Sequence, residues 1–284
     1  MAFYITKASG EKELFNIKKF KRSLQHSGAP NQLIMKIAQK IEKKPELRTT
    51  KQIYSFAMLE LERVNPALAA RYNLKYALIA LGPTGYPFEL FIAQVFKAQG
   101  YHVKLNEIAS GYCVDHELDL VATKNSTGYL IECKFHNRQR YKSDVKIPLY
   151  VKARFDDIQK KFKSNAQHGH LFHEALVATN TKFTSQAVQY STCAGIQLLD
   201  WSLPKGKSLP RLIQKHTLYP LTTLTTLSMG EKKQIIKDGI ILCSALPKNE
   251  WTLKNAGLNA RDRNKVIKEA TDLCRFNDIL NGKS

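Results

Sequence analysis

Two short segments, Val114 to Ala122 and Tyr129 to Phe135, each alternate apolar and polar residues. Lys124-Asn125-Ser126-Thr127-Gly128 between them has the composition of a hairpin turn. A period of two marks a half-buried strand, and a turn of that length sets two such strands side by side. The pattern sends Leu118, Leu120 and Ala122 to one face and Asp115, Glu117 and Asp119 to the other. On the second strand Ile131, Cys133 and Phe135 oppose Glu132 and Lys134. With a four-residue loop from Lys124 to Thr127, Thr123 pairs with Gly128, which places Asp119 opposite Glu132 and Glu117 opposite Lys134. Directly opposed like charges destabilise a hairpin. A divalent cation, Mg²⁺ or Mn²⁺, shared by the two carboxylates turns that repulsion into coordination. A lysine two residues beyond Glu132 on the same face can orient metal-bound water or neutralise charge developing at phosphorus.

Upstream, Pro83 and Pro87 bracket the start of a helix whose Phe88, Phe91, Ile92, Val95 and Phe96 fall in one arc. Glu89 lies at the edge of that arc, placed to reach the adjoining sheet as a third carboxylate. Gly100 caps this helix, and Tyr101, Val103 and Leu105 begin another alternating strand. Downstream, His136 to Lys142 is a basic loop in which Arg138 and Arg140 can bear on phosphates. Val151 to Lys163 then reads as a helix, Ala175 to Ala178 as a buried strand, Phe183 to Cys193 as a helix ended by Gly195, and Ile196 to Trp201 as a last strand. Strand, helix and strand with a short crossover imply a parallel pair. His168, His170 and His173 lack an acid at ligand spacing, which argues against a metal site there.

Asp119 with Glu132-Cys133-Lys134 resembles the D…(D/E)xK core of the PD-(D/E)XK nucleases, with Leu118 in place of the proline. Gly85-Tyr86-Pro87-Phe88-Glu89 resembles the opening of the Mrr-type restriction endonuclease domain; archaeal-type Holliday junction resolvases share the arrangement. The resemblance implies an α/β restriction-endonuclease-like αβββαβ core over residues 83–204. It also implies catalytic roles for Asp119, Glu132, Lys134 and Glu89, with the three carboxylates as metal ligands.

Charge is distributed unevenly around that core. Residues 1–82 carry 15 basic and 6 acidic residues, 83–204 carry 14 and 11, and 205–284 carry 15 and 7, within a chain of net charge +20. Basic flanks around an acidic centre suit a polyanionic partner, DNA. Five cysteines without CxxC spacing indicate neither a disulfide framework nor a zinc site and fit a reducing cytoplasm. No apolar run approaches about 18 residues and no signal segment opens the chain, so neither membrane insertion nor secretion is expected.

Residues 1–82 open with a small hairpin around Ala8 to Lys12. Four short amphipathic helices follow, with Pro30, Pro45 and Pro66 near the breaks. Ile5-Thr6-Lys7-Ala8-Ser9-Gly10, Lys19-Phe20-Lys21-Arg22 and Tyr72-Asn73-Leu74-Lys75-Tyr76 resemble the ATP-cone, with Ala8 where that family has a second basic residue. The resemblance implies ATP or dATP as an allosteric effector held by Lys7, Lys19, Arg22, Tyr72 and Lys75. No phosphate-cradling GxxxxGK[ST] loop occurs.

After a linker at Pro204, Gly206 and Pro210, residues 205–284 read as two helix pairs with glycine at their turns, Gly239 and Gly257. They resemble an all-α helix-hairpin-helix DNA-binding unit. Lys254, Gly257, Arg261 and Arg263 are its implied DNA contacts, since a glycine turn lets backbone N–H groups approach a phosphate. The expectation is a cytoplasmic, multidomain, metal-dependent DNA endonuclease, forming a homo-oligomer and answering to adenine nucleotide. A non-catalytic, nucleotide-responsive DNA-binding protein and a junction resolvase are the alternatives.

Overall fold

A computed structural model describes residues 3–7, 10–44, 46–125, 127–164 and 172–280. At its centre the alternating segments form a five-stranded sheet in the order β3-β4-β5-β7-β9. The strands are β3 (His102–Ser110), β4 (Asp115–Lys124), β5 (Thr127–Lys134), β7 (Glu174–Thr179) and β9 (Ile196–Leu199). The first three are antiparallel; β7 and β9 run parallel to β5. A further parallel pair, β6 (Lys142–Ser143) and β8 (Lys182–Phe183), flanks the end of β5.

Helix α6 (Tyr86–Lys97) precedes the sheet and covers one face with the buried Phe88, Phe91, Ile92 and Val95. Each of those side chains contributes about 1.5–3 kcal/mol by leaving water. Helices α7 (Lys146–Ser164) and α8 (Ser185–Ala194) cover the opposite face through Val151, Ile158 and Ala187. The expected helix and strand order therefore forms, including the parallel crossover. The last strand ends at Leu199 rather than Trp201. Asp200 turns the chain there by accepting the N–H groups of Ser202 and Leu203, each at 2.6 Å, and that of Phe183 at 3.1 Å.

The N-terminal hairpin, β1 (Tyr4–Thr6) with β2 (Lys12–Leu14), is followed by five helices rather than four: α1 (Ile17–His26), α2 (Asn31–Glu42), α3 (Thr50–Val64), α4 (Pro66–Tyr72) and α5 (Leu74–Ile79). The additional helix, α4, starts where Asn65 accepts the Ala67 N–H at 2.8 Å and Pro66 fills the first turn. Its run of small residues hides helical periodicity because it is buried all round. Leu68 and Ala69 enter the N-terminal core, whereas Ala67 and Ala70 enter the core under the sheet. Ala8, Ser9 and Pro45 lie outside the described residues.

The C-terminal region forms α9 (Leu209–His216), α10 (Met229–Lys237), α11 (Glu250–Asn255) and α12 (Ala260–Leu280). Among the described residues α11 and α12 are joined through Gly257 (φ 89°) as a helix pair. The partner expected for α10 is a single stretch of 3-10 helix, Cys243–Lys248, interrupted by Pro247. Buried leucines of this region pack in one apolar core with α4, α5 and α6. Packing is thus continuous across residues 82–83 and 204–205. No described helix is long and apolar enough to cross a membrane.

Glu269 of α12 ties this region together. Its buried carboxylate accepts four bonds, from the backbone N–H and hydroxyl of both Thr225 and Thr226, at 2.6–3.0 Å. Glu269→Ala strands those donors and is expected to cost about 3 kcal/mol. Urea unfolding checks this: the midpoint falls while the slope stays unchanged.

Candidate active site

β4 and β5 keep the expected register, Thr123 opposite Gly128. However, Lys124 and Thr127 also pair, which shortens the loop to residues 125–126, with Asn125 left-handed at φ 53°. At the other end the ladder stops at Leu120 opposite Ile131, so the expected cross-strand pairs Asp119–Glu132 and Glu117–Lys134 do not form. The β3 ladder skips its partner for Asp119 at the same level, where Asn106 has φ 52°. This break also divides the face expected for β4: Leu118 packs with α7 and α8, and Leu120 and Ala122 pack under α6. Released from both ladders, Asp119 accepts the Cys133 N–H on its Oδ2 at 2.7 Å. The two strands are pinned by a side chain where their backbones part.

Asp119, Glu132, Lys134 and Glu89 line one cleft of about 630 Å³. Asp119 and Glu132 also line a second cleft, about 290 Å³, with Asp115, Glu117 and Arg154. Burial raises the pKa of both carboxyls, and Asp119 raises Glu132 further. Glu89 is pushed up to about 7, by burial first and then by Asp119 and Glu132. Among the described residues no three His, Cys, Asp or Glu side chains form a group that could hold a metal ion.

Sequence reasoning missed Arg154. Its Nη1 binds Glu132 Oε2 at 2.7 Å, its side chain is only 7% exposed, and its guanidinium sits 5.0 Å over the Tyr150 ring. The signal was present: position 154 falls between Val151 and Ile158 on the buried stripe of α7, where an arginine is out of place without a partner. On the same helix Asp157 pairs with His116 Nε2 at 2.8 Å and accepts the Cys113 N–H at 2.9 Å. The His116 bond, followed by those from Cys113, holds the Asp157 carboxyl down to about 2. Gly111 is required there, because a Cβ would lie 2.0 Å from Asp157 Oδ2.

The basic loop after β5 is anchored at its start. The His136 N–H and C=O exchange bonds with the buried Asn180 side chain, each at 2.8 Å, and His136 Nε2 lies 3.0 Å from Ser143 Oγ. Arg138 lines the cleft, and Arg140 is exposed on the same loop. His168 and His170 lie outside the described residues; His173 accepts the Gly128 N–H at 3.2 Å.

Of the five residues implied for nucleotide, two line one cavity and three lie outside its lining. Lys7 is engaged by Glu13 at 2.7 Å and Glu11 at 3.1 Å on the hairpin, whereas Lys19 and Arg22 are exposed on α1. Tyr72 and Lys75 line a cavity beside the sheet. In the C-terminal region Lys254 and Arg261 are exposed, but Arg263 is tied to Glu250 at 2.9 Å. The Gly257 N–H is used within its own turn, donating to Lys254 O at 2.9 Å.

Comparison with known proteins places this geometry. Residues 83–202 match the restriction endonuclease family (Mrr_cat), which supports a nuclease, and residues 219–274 match the AF1548-like C-terminal family. An uncharacterized protein of Archaeoglobus fulgidus is 34% identical over 180 residues, covering 63% of this chain and 97% of that protein. A crystal structure, of the protein of unknown function AF1548, is similar with a TM-score of 0.55 and 31% identity over 68% of this chain and all of that one.

Glu89 gives the site a pH signature. The unfolded side chain loses its proton near 4.5 and the folded one near 7, so the folded state holds the extra proton between those values and stability falls as pH rises through them. Since the side chain is partly solvated, the effect is on the order of 1 kcal/mol. In chelator, Glu89→Gln should melt about 2–4 °C above wild type near pH 8 and coincide with it near pH 4. Melting curves at the two pH values check it.

Proposed function

The chain belongs to the AF1548-like family of the Archaeoglobus fulgidus protein and carries a restriction endonuclease domain, and from that premise we propose that it is a divalent-metal-dependent DNA endonuclease. The observation that carries this reading is the convergence of Asp119, Glu132 and Lys134 on one cleft at the point where β4 and β5 part. A hard cation that keeps several waters needs only one or two carboxylates. Asp119 and Glu132 fit it, because both are half-buried acceptors whose carboxyls burial pushes up, and Glu132 is further repelled by Asp119. Glu89, expected as a third ligand, lines the same cleft but does not complete a three-residue metal group with them. When bound, the cation supplies an acidified water and neutralises charge on the phosphate.

The chain's own groups do the rest. Lys134, two residues beyond Glu132 on the same strand, offers its ammonium to the nucleophilic water or to a phosphate oxygen. Arg138 contacts a neighbouring phosphate at the cleft wall. Arg154 is a positioning residue: it fixes the Glu132 carboxylate and offsets its charge. Adenine nucleotide, ATP or dATP, acts as an effector on the N-terminal region, and Lys254 and Arg261 help the C-terminal region hold DNA.

The Glu132–Arg154 ion pair is also the one observation favouring the rival, a non-catalytic nucleotide-responsive DNA-binding protein in which these carboxylates are structural. Incubating the protein with plasmid, linear and branched DNA, with and without Mg²⁺ or Mn²⁺, separates the two. Asp119→Ala, Glu132→Ala and Lys134→Ala should each abolish cleavage while DNA binding persists; metal-dependent cleavage surviving all three would sink the endonuclease reading. For the C-terminal region, replacing Lys254 and Arg261 together with alanine should flatten the dependence of log K on log salt by about 2. An unchanged slope would assign that surface to protein contacts instead.

A further inference from the structure

Away from the carboxylates, a cavity of about 770 Å³ beside the sheet lies where three regions of the chain meet. Arg71 comes from α4, Lys75 from α5, Lys182 from β8 and Arg211 from α9; among the described residues no acidic side chain lines the cavity. None of Lys75, Lys182 and Arg211 has an acidic partner among the described residues. Folding therefore gathers Lys75, Lys182 and Arg211, three cations to which the described residues offer no acidic partner, beside Arg71. Burial lowers the pKa of Lys75, and Lys182 and Lys19 lower it further. Two aromatic faces border the same space: Trp201, with Lys75 Nζ 5.9 Å over its ring, and Tyr76, which is 43% exposed and leans on Tyr54 at 4.4 Å.

We infer that this cavity binds a nucleoside polyphosphate, its phosphates held by Arg71, Lys75, Lys182 and Arg211 and its base laid against Trp201 or Tyr76. The volume suits such a ligand. Guanidinium and ammonium groups match phosphate oxygens, and an aromatic face stacks on any base. The inference rests on the effector reading above and deepens it. Two of its four cations, Lys182 and Arg211, lie outside residues 1–82, so the bound ligand joins the N-terminal helices to the sheet edge and to α9. A ligand that binds only when those parts are seated together biases their arrangement, which is the requirement for an effector.

Calorimetry on the full chain tests this with ATP, dATP, inorganic tripolyphosphate and adenosine. ATP or dATP should bind without turnover, tripolyphosphate at least tenfold more weakly, and adenosine undetectably. Lys182→Ala and Arg211→Ala, both at exposed positions, should each weaken ATP at least tenfold, whereas Lys233→Ala, an exposed cation outside the cavity, should leave it unchanged. If ATP binds equally to both cavity variants but is lost in Lys7→Ala, the cavity inference fails while the effector reading survives. If neither ATP nor dATP binds the wild type, both fail. Tripolyphosphate binding as tightly as ATP would overturn the nucleoside assignment.

Discussion

The bond from the Cys133 N–H to the Asp119 carboxylate holds the centre of this molecule in its working shape. A hairpin whose ladder ran on would set Asp119 and Glu132 side by side on a flat strand pair, with their charges opposed and no room for a substrate. Ending the ladder one pair earlier removes that opposition and opens the strands. The open end then needs a substitute for the lost backbone bonds, and a carboxylate accepting a backbone N–H at 2.7 Å supplies one. The same break, propagated to β3 at Asn106, sends Leu118 to one core and Leu120 to the other. Asp119 thus sits on a strand buried from both sides and still faces a cleft.

That arrangement is electrostatically expensive, and the surroundings show how the cost is limited. A carboxylate pair drawn partly out of water holds its charge more readily if positive charge is near. Arg154 provides it to Glu132 from α7, at a position the apolar stripe of that helix would otherwise fill. Glu89, to which the described residues offer no such ion pair, is pushed up to about 7, by burial first and then by repulsion from Asp119 and Glu132. A cation entering the cleft relieves that repulsion without rebuilding the protein.

Much of this was legible in the chain. Period-two alternation fixes the strands, the turn composition fixes the register, and the spacing of Asp119, Glu132 and Lys134 fixes which side chains meet, since all three lie within one hairpin. What was not legible depends on distance in sequence or on irregularity. The parting of β4 from β5 has no signature in an alternating pattern that continues unbroken through Asp119. The apolar stripe of α7 marks Arg154 as needing a partner, but not that the partner is Glu132 across a crossover, and nothing local announces that Asn180 follows β7 to grip His136. Helix α4 escaped notice for a different reason: a segment buried on all sides has no polar face to give it a period.

Helix α4 is also where the three regions stop being separable. Its Leu68 and Ala69 belong to the N-terminal core, and its Ala67 and Ala70 to the core that holds α6, the sheet and the C-terminal leucines. Side chains as small as alanine let helices approach closely, and a close-packed contact has little slack to absorb displacement. Arg71 and Tyr72 end this helix and face the basic cavity, while Phe88 and Phe91 of α6, in the same core, lie under the strands that carry Asp119 and Glu132. Packed side chains thus run without a break from the helix that borders the basic cavity to the strands of the carboxylate cleft. The Thr222 hydroxyl, bonded to Ala77 O of α5 at 2.7 Å, carries the same connection into the C-terminal region.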